Sequence, residues 1–298
     1  MNRTGSLASR SCASALGAVL LLAAGPLAAR AEGIVVATGP ERGSYHYIGE
    51  RLKTEILVAH ERRIEILQTA GSVENLRLLD DAASPVNVAL TQSDVLAAWT
   101  LQHPGFAERI VVLGNAGREC VLLIASARHE AASLSDLASS GGEVSVGGEQ
   151  SGARATLESM IRIAPALESL RPIAEPTHEA LARLQQGPSE GGLVAAMMVQ
   201  RPRRVSPGVE TVLKQPDAYR WIPIREAEVG NGKLPDGSPL YSFERVAVGG
   251  LRGGGLAVDT LCTRGLLLAA KEKLTATERA MLSQAMREAG ERIIRPDE

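Results

Sequence analysis

The sequence predicts an α/β fold with largely parallel sheets, on three observations. Short runs rich in β-branched residues alternate with helical apolar spacings, the two kinds of segment are joined by loops of glycine and small polar residues, and no repeat or low-complexity tract interrupts the alternation.

Residues 33–38 form the first strand, closed by the loop composition Gly39-Pro40-Glu41-Arg42-Gly43. From Ser44 the spacing of Ile48, Leu52, Ile56 and Leu57 puts apolar groups on one helical face. The unit then recurs. Residues 63–68 alternate as a strand, Thr69-Ala70-Gly71 turns, and Ser72 is placed to cap a helix through Val73, Leu76 and Leu79. Residues 86–90 are a third strand, after which Thr91-Gln92-Ser93 leads to a helix through Val95, Leu96 and Trp99 with Ser93 as its cap.

Residues 110–113 and 121–125 read as two separate strands, 134–138 as a short helix and 144–146 as a strand running into Gly147-Gly148-Glu149-Gln150-Ser151-Gly152. A helix through Leu157, Met160 and Ile161 follows. Further on, 177–186 reads as a helix, 193–199 and 221–224 as strands, and 231–239 and 249–255 as glycine- and proline-rich loops, the second of them mobile. Thr275-Ala276-Thr277-Glu278 is a capping-box pattern opening one long amphipathic helix through Met281, Leu282, Ala285, Met286, Ala289 and Ile293.

Residues 1–31 carry the pattern of a secretory signal: Arg3 and Arg10, an apolar run over 13–24, and the small-x-small triplet Ala29-Arg30-Ala31. The mature chain is expected to begin near Glu32 and to be soluble. The signal holds three of the 32 basic residues and none of the 34 acidic ones, leaving 29 against 34 and a formal charge of −5. With so few aromatics and no basic excess, nucleic acid is a poor partner, and the cluster Arg201, Arg203, Arg204 reads as a solvated turn. Cys12 leaves with the signal, so Cys120 and Cys262 alone reach an oxidising compartment. By composition they are equally one disulfide or two buried thiols.

Four of these loops join a strand end to a helix start and carry small polar residues: Gly43-Ser44, Gly71-Ser72, Gln92-Ser93 and Ser151-Gly152. A helix start has unpaired N–H groups and a partial positive charge, so several starts aimed at one point make an anion site. Taken singly, each serine is an ordinary cap. Signatures of enzymes are missing: there is no phosphate loop, no H-E-x-x-H, no G-x-S-x-G and no C-x-x-C, so no metal or cofactor is expected. His46, His60, His103, His129 and His178 each stand alone. The chemical alternative is an exported hydrolase with Ser44 or Ser151 as nucleophile and His46 as the base nearest in sequence.

The same loops resemble a known family. Ala37-Thr38-Gly39 through Gly43-Ser44-Tyr45-His46-Tyr47 with Gly49, then Gly71-Ser72-Val73-Glu74-Asn75-Leu76-Arg77-Leu78-Leu79, Thr91-Gln92-Ser93-Asp94-Val95, and Val144-Ser145-Val146-Gly147 with Ser151-Gly152, are similar in order and spacing to TAXI proteins. These are the solute receptors of tripartite ATP-independent periplasmic (TRAP) transporters. The resemblance implies a two-lobed type II periplasmic-binding fold with two hinge strands, lobe 1 comprising 32–119 plus 261–298 and lobe 2 comprising 120–260. It implies a periplasmic clamp without enzymatic activity that passes a small carboxylate, dicarboxylate or amino acid to a TRAP membrane permease; a sensor kinase or an ATP-driven importer is the alternative client.

By position the resemblance assigns ligand contacts to Gly43, Ser44, Tyr45, Gln92, Ser151, Gly152 and Ala153, with Ser72, Arg154 and Gln200 as further candidates. Tyr45 would stack on an apolar part of the solute. The family usually has threonine where this chain has Ala153 followed by Arg154, and a glycine-rich, aromatic strand where it has Ala195-Ala196-Met197-Met198-Val199-Gln200. Those departures imply a differently shaped or more acidic solute. The alignment also puts Cys120 and Cys262 on neighbouring crossing strands, implying a disulfide across the hinge that limits opening.

Overall fold

The first strand, β1 (Ile34–Ala37), is buried along its whole length, and its unbroken Ile-Val-Val-Ala run is what a strand covered on both faces requires. A computed structural model describes residues 33–187, 192–234, 237–249 and 254–294, so the signal at 1–31 and the middle of the 249–255 loop lie outside the described residues. After β1 come α1 (Ser44–His60), β2 (Ile64–Leu67), α2 (Ser72–Asp80), β3 (Val88–Gln92), α3 (Ser93–Gln102), α4 (Phe106–Arg109) and β4 (Ile110–Ser126). The chain continues through α5 (Leu134–Ser140), β5 (Gly142–Ser145), α6 (Gly152–Ile163), β6 (Leu170–Ile173), α7 (Thr177–Gln185), β7 (Leu193–Gln200), α8 (Pro207–Lys214) and β8 (Tyr219–Ile222). It ends with α9 (Ala227–Gly230), β9 (Ser242–Ala247), β10 (Ala257–Ala270), α10 (Ala276–Glu288) and α11 (Gly290–Ile294).

The α/β class is as the sequence predicts. The strands run in the order β2-β1-β3-β10-β4-β7-β5-β6, with β8 added beside β4 and β9 beside β10. The triplets β2-β1-β3 and β7-β5-β6 are parallel inside themselves. Between them, β4 and β10 are long and antiparallel to each other and to their neighbours. The expectation of largely parallel sheets is therefore corrected to a mixed sheet, because the chain crosses once along β4, returns along β10, and adds antiparallel partners at β8 and β9.

Alternation of side chains places the core on both faces of each triplet. Ile34 and Val36 pack with Ile48, Leu52, Leu282 and Met286 from α1 and α10. Val35 and Ala37 pack with Leu76, Val95 and Phe106 on the opposite side. In the second half Leu123, Val144 and Ala195 meet Leu137, Leu157 and Met160, while Ala196 and Leu193 meet Leu181 and Val212 across the sheet. Among the described residues no helix is long and apolar enough to cross a membrane.

Several elements depart from expectation. The two strands read at 110–113 and 121–125 are one strand, β4: Gly114-Asn115-Ala116-Gly117 looks like a turn but continues the pairing with β10, with irregular register at Gly265/Leu266 and Leu267/Leu268 and Gly117 at φ +93°. Gly114 is needed there because a Cβ would come 2.7 Å from the Cβ of Met286 in α10. The C-terminal helix is divided at Ala289 into α10 and α11, while its capping box forms as read, Glu278 N–H donating to Thr275 Oγ1 at 3.1 Å and Thr275 N–H donating to Glu278 at 2.8 Å. Ser72 and Ser93 are not caps. The N-caps of α2 and α3 are Gly71 and Gln92, and the two hydroxyls bond to distant parts of the chain.

Cys120 and Cys262 are joined by a disulfide. They face each other directly in the β4–β10 register, in an apolar cluster with Leu122, Val209, Val246 and Val258.

Candidate functional site

Five helix starts open onto one cavity of about 560 Å³: Ser44 and Tyr45 of α1, Gly71 and Ser72 of α2, Ser151-Gly152-Ala153 of α6, Thr177 and His178 of α7, and Ser206-Pro207-Gly208 of α8. The loops are built locally for this. Gly43 donates its N–H to the Pro40 carbonyl at 2.8 Å, closing a tight turn in which a Cβ at 43 would strike that same oxygen. At α2, Gly71 has φ +134°, a conformation that favours glycine. Glu74 reaches back to accept the Ala70 N–H at 2.7 Å, and buried Asn75 donates to the carbonyls of Thr38 and Leu90, fastening the ends of β1 and β3 together. That accounts for the Gly-Ser-Val-Glu-Asn sequence at this loop.

At α6, Ser151 is a true cap: its hydroxyl accepts from Arg154 N–H at 3.1 Å and donates to the Val146 carbonyl at 2.8 Å. The next residue, Gly152, touches the other half of the molecule. A Cβ there would lie 1.6 Å from Gln92 Oε1. Gln92 is 3 % exposed, its Oε1 accepts from Ser72 Oγ at 3.0 Å, and its Nε2 donates to Thr156 Oγ1 of α6 at 3.1 Å. Thr156 donates in turn to Asp94 Oδ2 at 2.7 Å, which also accepts from the Tyr241 hydroxyl at 2.9 Å. One buried hydrogen-bonded chain, Ser72, Gln92, Thr156, Asp94 and Tyr241, thus ties the starts of α2 and α3 to α6.

A second tie runs between the α1 loop and the turn after β7. Arg201 N–H donates to Ser44 Oγ at 3.4 Å, Arg204 donates to the Arg42 carbonyl, and Gln200 Nε2 donates to the Arg204 carbonyl at 2.8 Å. The basic cluster at 201–204 is therefore not a solvated turn. Arg201 is 4 % exposed and Arg204 lines the cavity, because the turn sits at the end of β7 where the cavity opens; Arg203 alone of the three faces outward.

Glu119 of β4 also lines the cavity, 3 % exposed, with Oε1 buried and without a hydrogen-bond partner. Burial pushes its carboxyl up to about 8; the positive charges of Arg201 and Arg204 oppose this and the negative charge of Asp94 adds to it. Burial raises Asp94 as well, against hydrogen bonds from Thr156, Tyr241 and backbone amides. The unfolded chain releases the Glu119 proton near 4.5 and the folded protein near 8. The stability this group contributes is therefore complete below pH 4.5 and is lost as pH rises through 8, with Asp94 acting in the same direction. We expect the melting temperature of the wild type, measured against Glu119→Gln, to fall by roughly 5 °C between pH 5 and 8.5. Parallel pH profiles for the two proteins would contradict a buried, proton-holding Glu119.

Of the sequence-assigned residues, Gly43, Ser44, Tyr45, Ser72, Gln92, Ser151, Gly152, Ala153 and Gln200 come together around this cavity. Arg154 does not: its guanidinium is paired with Glu149 at 2.8 Å and Glu158 at 2.9 Å, because its position on α6 turns it away from the opening. Among the described residues no histidine bonds to Ser44 or Ser151, and the Ser151 proton is committed to a backbone carbonyl.

Sequence reading missed Glu119, Thr156 and the α8 start. Two of these had signals: Ser206-Pro207 followed by Val209 and Val212 is a cap with proline at the first helical position, and Glu119 is a lone acid at the head of the apolar run 120–125. Thr156 had none, since its importance lies wholly in contacts with residues more than 60 positions away.

The sequence model of one family, described as the NMT1-like family, matches residues 36–198, more than half of the chain. No curated protein sequence matches significantly. Among solved structures, the periplasmic aliphatic sulphonate binding protein SsuA from Escherichia coli aligns at 14% identity and TM-score 0.48, over 88% of this chain and 72% of its own. A TctC solute binding protein from Polaromonas aligns at 12% identity and TM-score 0.47, over 88% and 83%. A TRAP periplasmic solute binding protein from Ralstonia eutropha H16, with bound (S)-2-acetolactate, aligns at 14% identity and TM-score 0.45, over 88% and 78%. At these scores the likenesses carry no assignment of ligand or partner.

Proposed function

This chain belongs to the NMT1-like family, and from that membership together with a cavity onto which five helix starts open we propose that it is a periplasmic solute receptor of the TAXI type. It captures a small anionic or amino-acid-like solute, a carboxylate, and hands it to a TRAP permease. The observation that carries this reading is the convergence: starts from both halves of the sheet meet at one cavity, and each N-terminus contributes about 0.3–1 kcal/mol toward an anion.

In this reading residues 32–119 plus 261–298 form one lobe and 120–260 the other, with β4 and β10 as the hinge strands. Gly43, Ser44 and Tyr45 meet the solute from the first lobe, and Ser151, Gly152 and Ala153 from the second. Gln92 belongs to the site as the side chain that holds the α2 and α6 starts in register, both ends of its amide being engaged. Solute favours the closed arrangement only by its differential affinity for closed over open. The buried ties between halves belong to the closed arrangement.

A thermal-shift screen of the purified mature protein against dicarboxylates, 2-oxo acids and amino acids, followed by native mass spectrometry of any hit, tests the reading. One class should raise the melting temperature, with stabilisation of about 2.7 kcal/mol when ligand stands at a hundred times its dissociation constant, and should be recovered chemically unchanged. Failure of every anion to bind, or conversion of the ligand, would overturn it.

A further inference from the structure

The walls of the cavity bring together the N–H groups of five helix starts and Arg204, while the Ser72 and Ser151 hydroxyls are already engaged. Two carboxylates line the cavity as well, Glu41, which is exposed, and Glu119, which is buried. Glu119 stands on β4 opposite Thr263 of β10, between Arg118, whose guanidinium pairs outward with Glu244, and Cys120, held in the disulfide. Successive side chains of a strand point to opposite faces, so these two neighbours point away from the face that Glu119 uses. Glu119 borders the cavity, and its Oε1 is buried and unpartnered. The charged and titratable groups that bear on it are Arg201 and Arg204 from the turn after β7, Asp94 from the start of α3 and Tyr45 from the start of α1. Among the described residues, Glu119 Oε1 has no hydrogen-bond partner. A buried acceptor left unmatched is costly, and the cavity that Glu119 borders is where a solute could supply the missing donor.

We propose that Glu119 selects the solute by accepting a hydrogen bond from an amino group on it, while the helix starts hold the carboxylate, so that the site takes amino-bearing carboxylic acids in preference to their hydroxy counterparts. The inference rests on the receptor reading and narrows it. A solute with only anionic groups would satisfy the helix starts and leave the Glu119 acceptor unmatched. An ammonium group meets it and offsets the negative charge in the same contact. A hydroxyl supplies a weaker, uncharged bond, and charge-assisted hydrogen bonds are roughly twice as strong as neutral ones. Because the contact uses the carboxylate form, affinity for an amino acid should rise as pH is raised from 6 toward 8.5.

The test is isothermal titration of the wild type, Glu119→Gln and Glu119→Asp with skeleton-matched pairs: alanine and lactate, aspartate and malate, glutamate and 2-hydroxyglutarate, leucine and 2-hydroxyisocaproate. The wild type should bind the amino member of at least one pair about tenfold more tightly than the hydroxy member, the span of one charge-assisted bond. Glu119→Gln should bring that ratio to within about threefold, while Glu119→Asp, which keeps the charge, should retain part of it. Equal affinity of the wild type for both members, or an unchanged ratio in Glu119→Gln, overturns the inference and leaves the receptor reading intact. Binding of no member of either series by the wild type overturns both. Far-ultraviolet circular dichroism of the variants confirms that a lost ratio is not a lost fold.

Discussion

Replacement of Gly152 by alanine is expected to weaken solute binding by about two orders of magnitude and to lower stability by about 3 kcal/mol. The added Cβ would sit 1.6 Å from Gln92 Oε1, 2.8 Å from its Cδ and 2.9 Å from Ser72 Oγ. Rotation of a flexible side chain usually relieves such a clash, but Gln92 is buried and bonded at both ends, to Ser72 and to Thr156. Moving it takes the acceptor from buried Ser72 and a donor from Thr156, whose hydroxyl keeps its bond to Asp94, at about 1–3 kcal/mol for a buried group left unmatched. The other escape is for α6 to withdraw from β3, which dissolves the shared cavity. Either way the α6 start no longer stands beside α2. Gly290→Ala, where a Cβ meets nothing within 4 Å, is the control. Thermal melts and titration with any solute found for the wild type check the outcome; a Gly152→Ala protein that melts and binds as the wild type does would show that the contact between halves is not what builds the site.

Much of this site was readable before the fold was known, because loops that start helices advertise themselves through small polar residues and glycine. Gly71, Ser151 and the Thr275 capping box are local devices whose partners lie within a few residues, and local chemistry is what a sequence displays. What was misread followed from the opposite condition. Ser72 and Ser93 look like caps, yet the first donates to Gln92 and the second pairs with Thr263, 170 positions away. The four residues 114–117 have the composition of a turn, yet they continue the strand along β10 and under Met286 of α10, with the irregularity confined to the register and to Gly117 at φ +93°. The short strand β6 contains Pro172, and β9 has the charged alternation Phe243-Glu244-Arg245 of an edge; neither shows the apolar run by which a strand is recognised. Glu119 was hidden differently. A single acid beside an apolar run reads as the strand's exposed end, whereas in the fold it is buried within the influence of Arg201, Arg204, Asp94 and Tyr45, all distant in sequence.

Loss of the disulfide should be felt through the same crossing strands. The double variant Cys120→Ala, Cys262→Ala is expected to lose about 2–5 kcal/mol of stability and roughly 10 °C in melting temperature. The bridge closes a loop across a separation of 142 residues, so the unfolded chain it constrains is large, and the entropy released on its removal falls near the upper end of that range. Both half-cystines are buried in an apolar cluster, which makes alanine a cleaner replacement than serine: no new hydroxyl is left without a partner. The native pairing of β4 with β10 continues from Cys120 and Cys262 down to Ile110 and Ala270, so the variant should fold, with native circular dichroism, and unfold at a lower temperature. Reduction of the wild type by dithiothreitol should reproduce most of the shift, whereas a reduced protein that melts with the oxidised one would mean that the strand ladder alone fixes the crossing. Because Glu119 and Thr263 flank the bridge on these same strands, loosening it should also raise the dissociation rate of bound solute more than it slows association, a split that stopped-flow kinetics resolves.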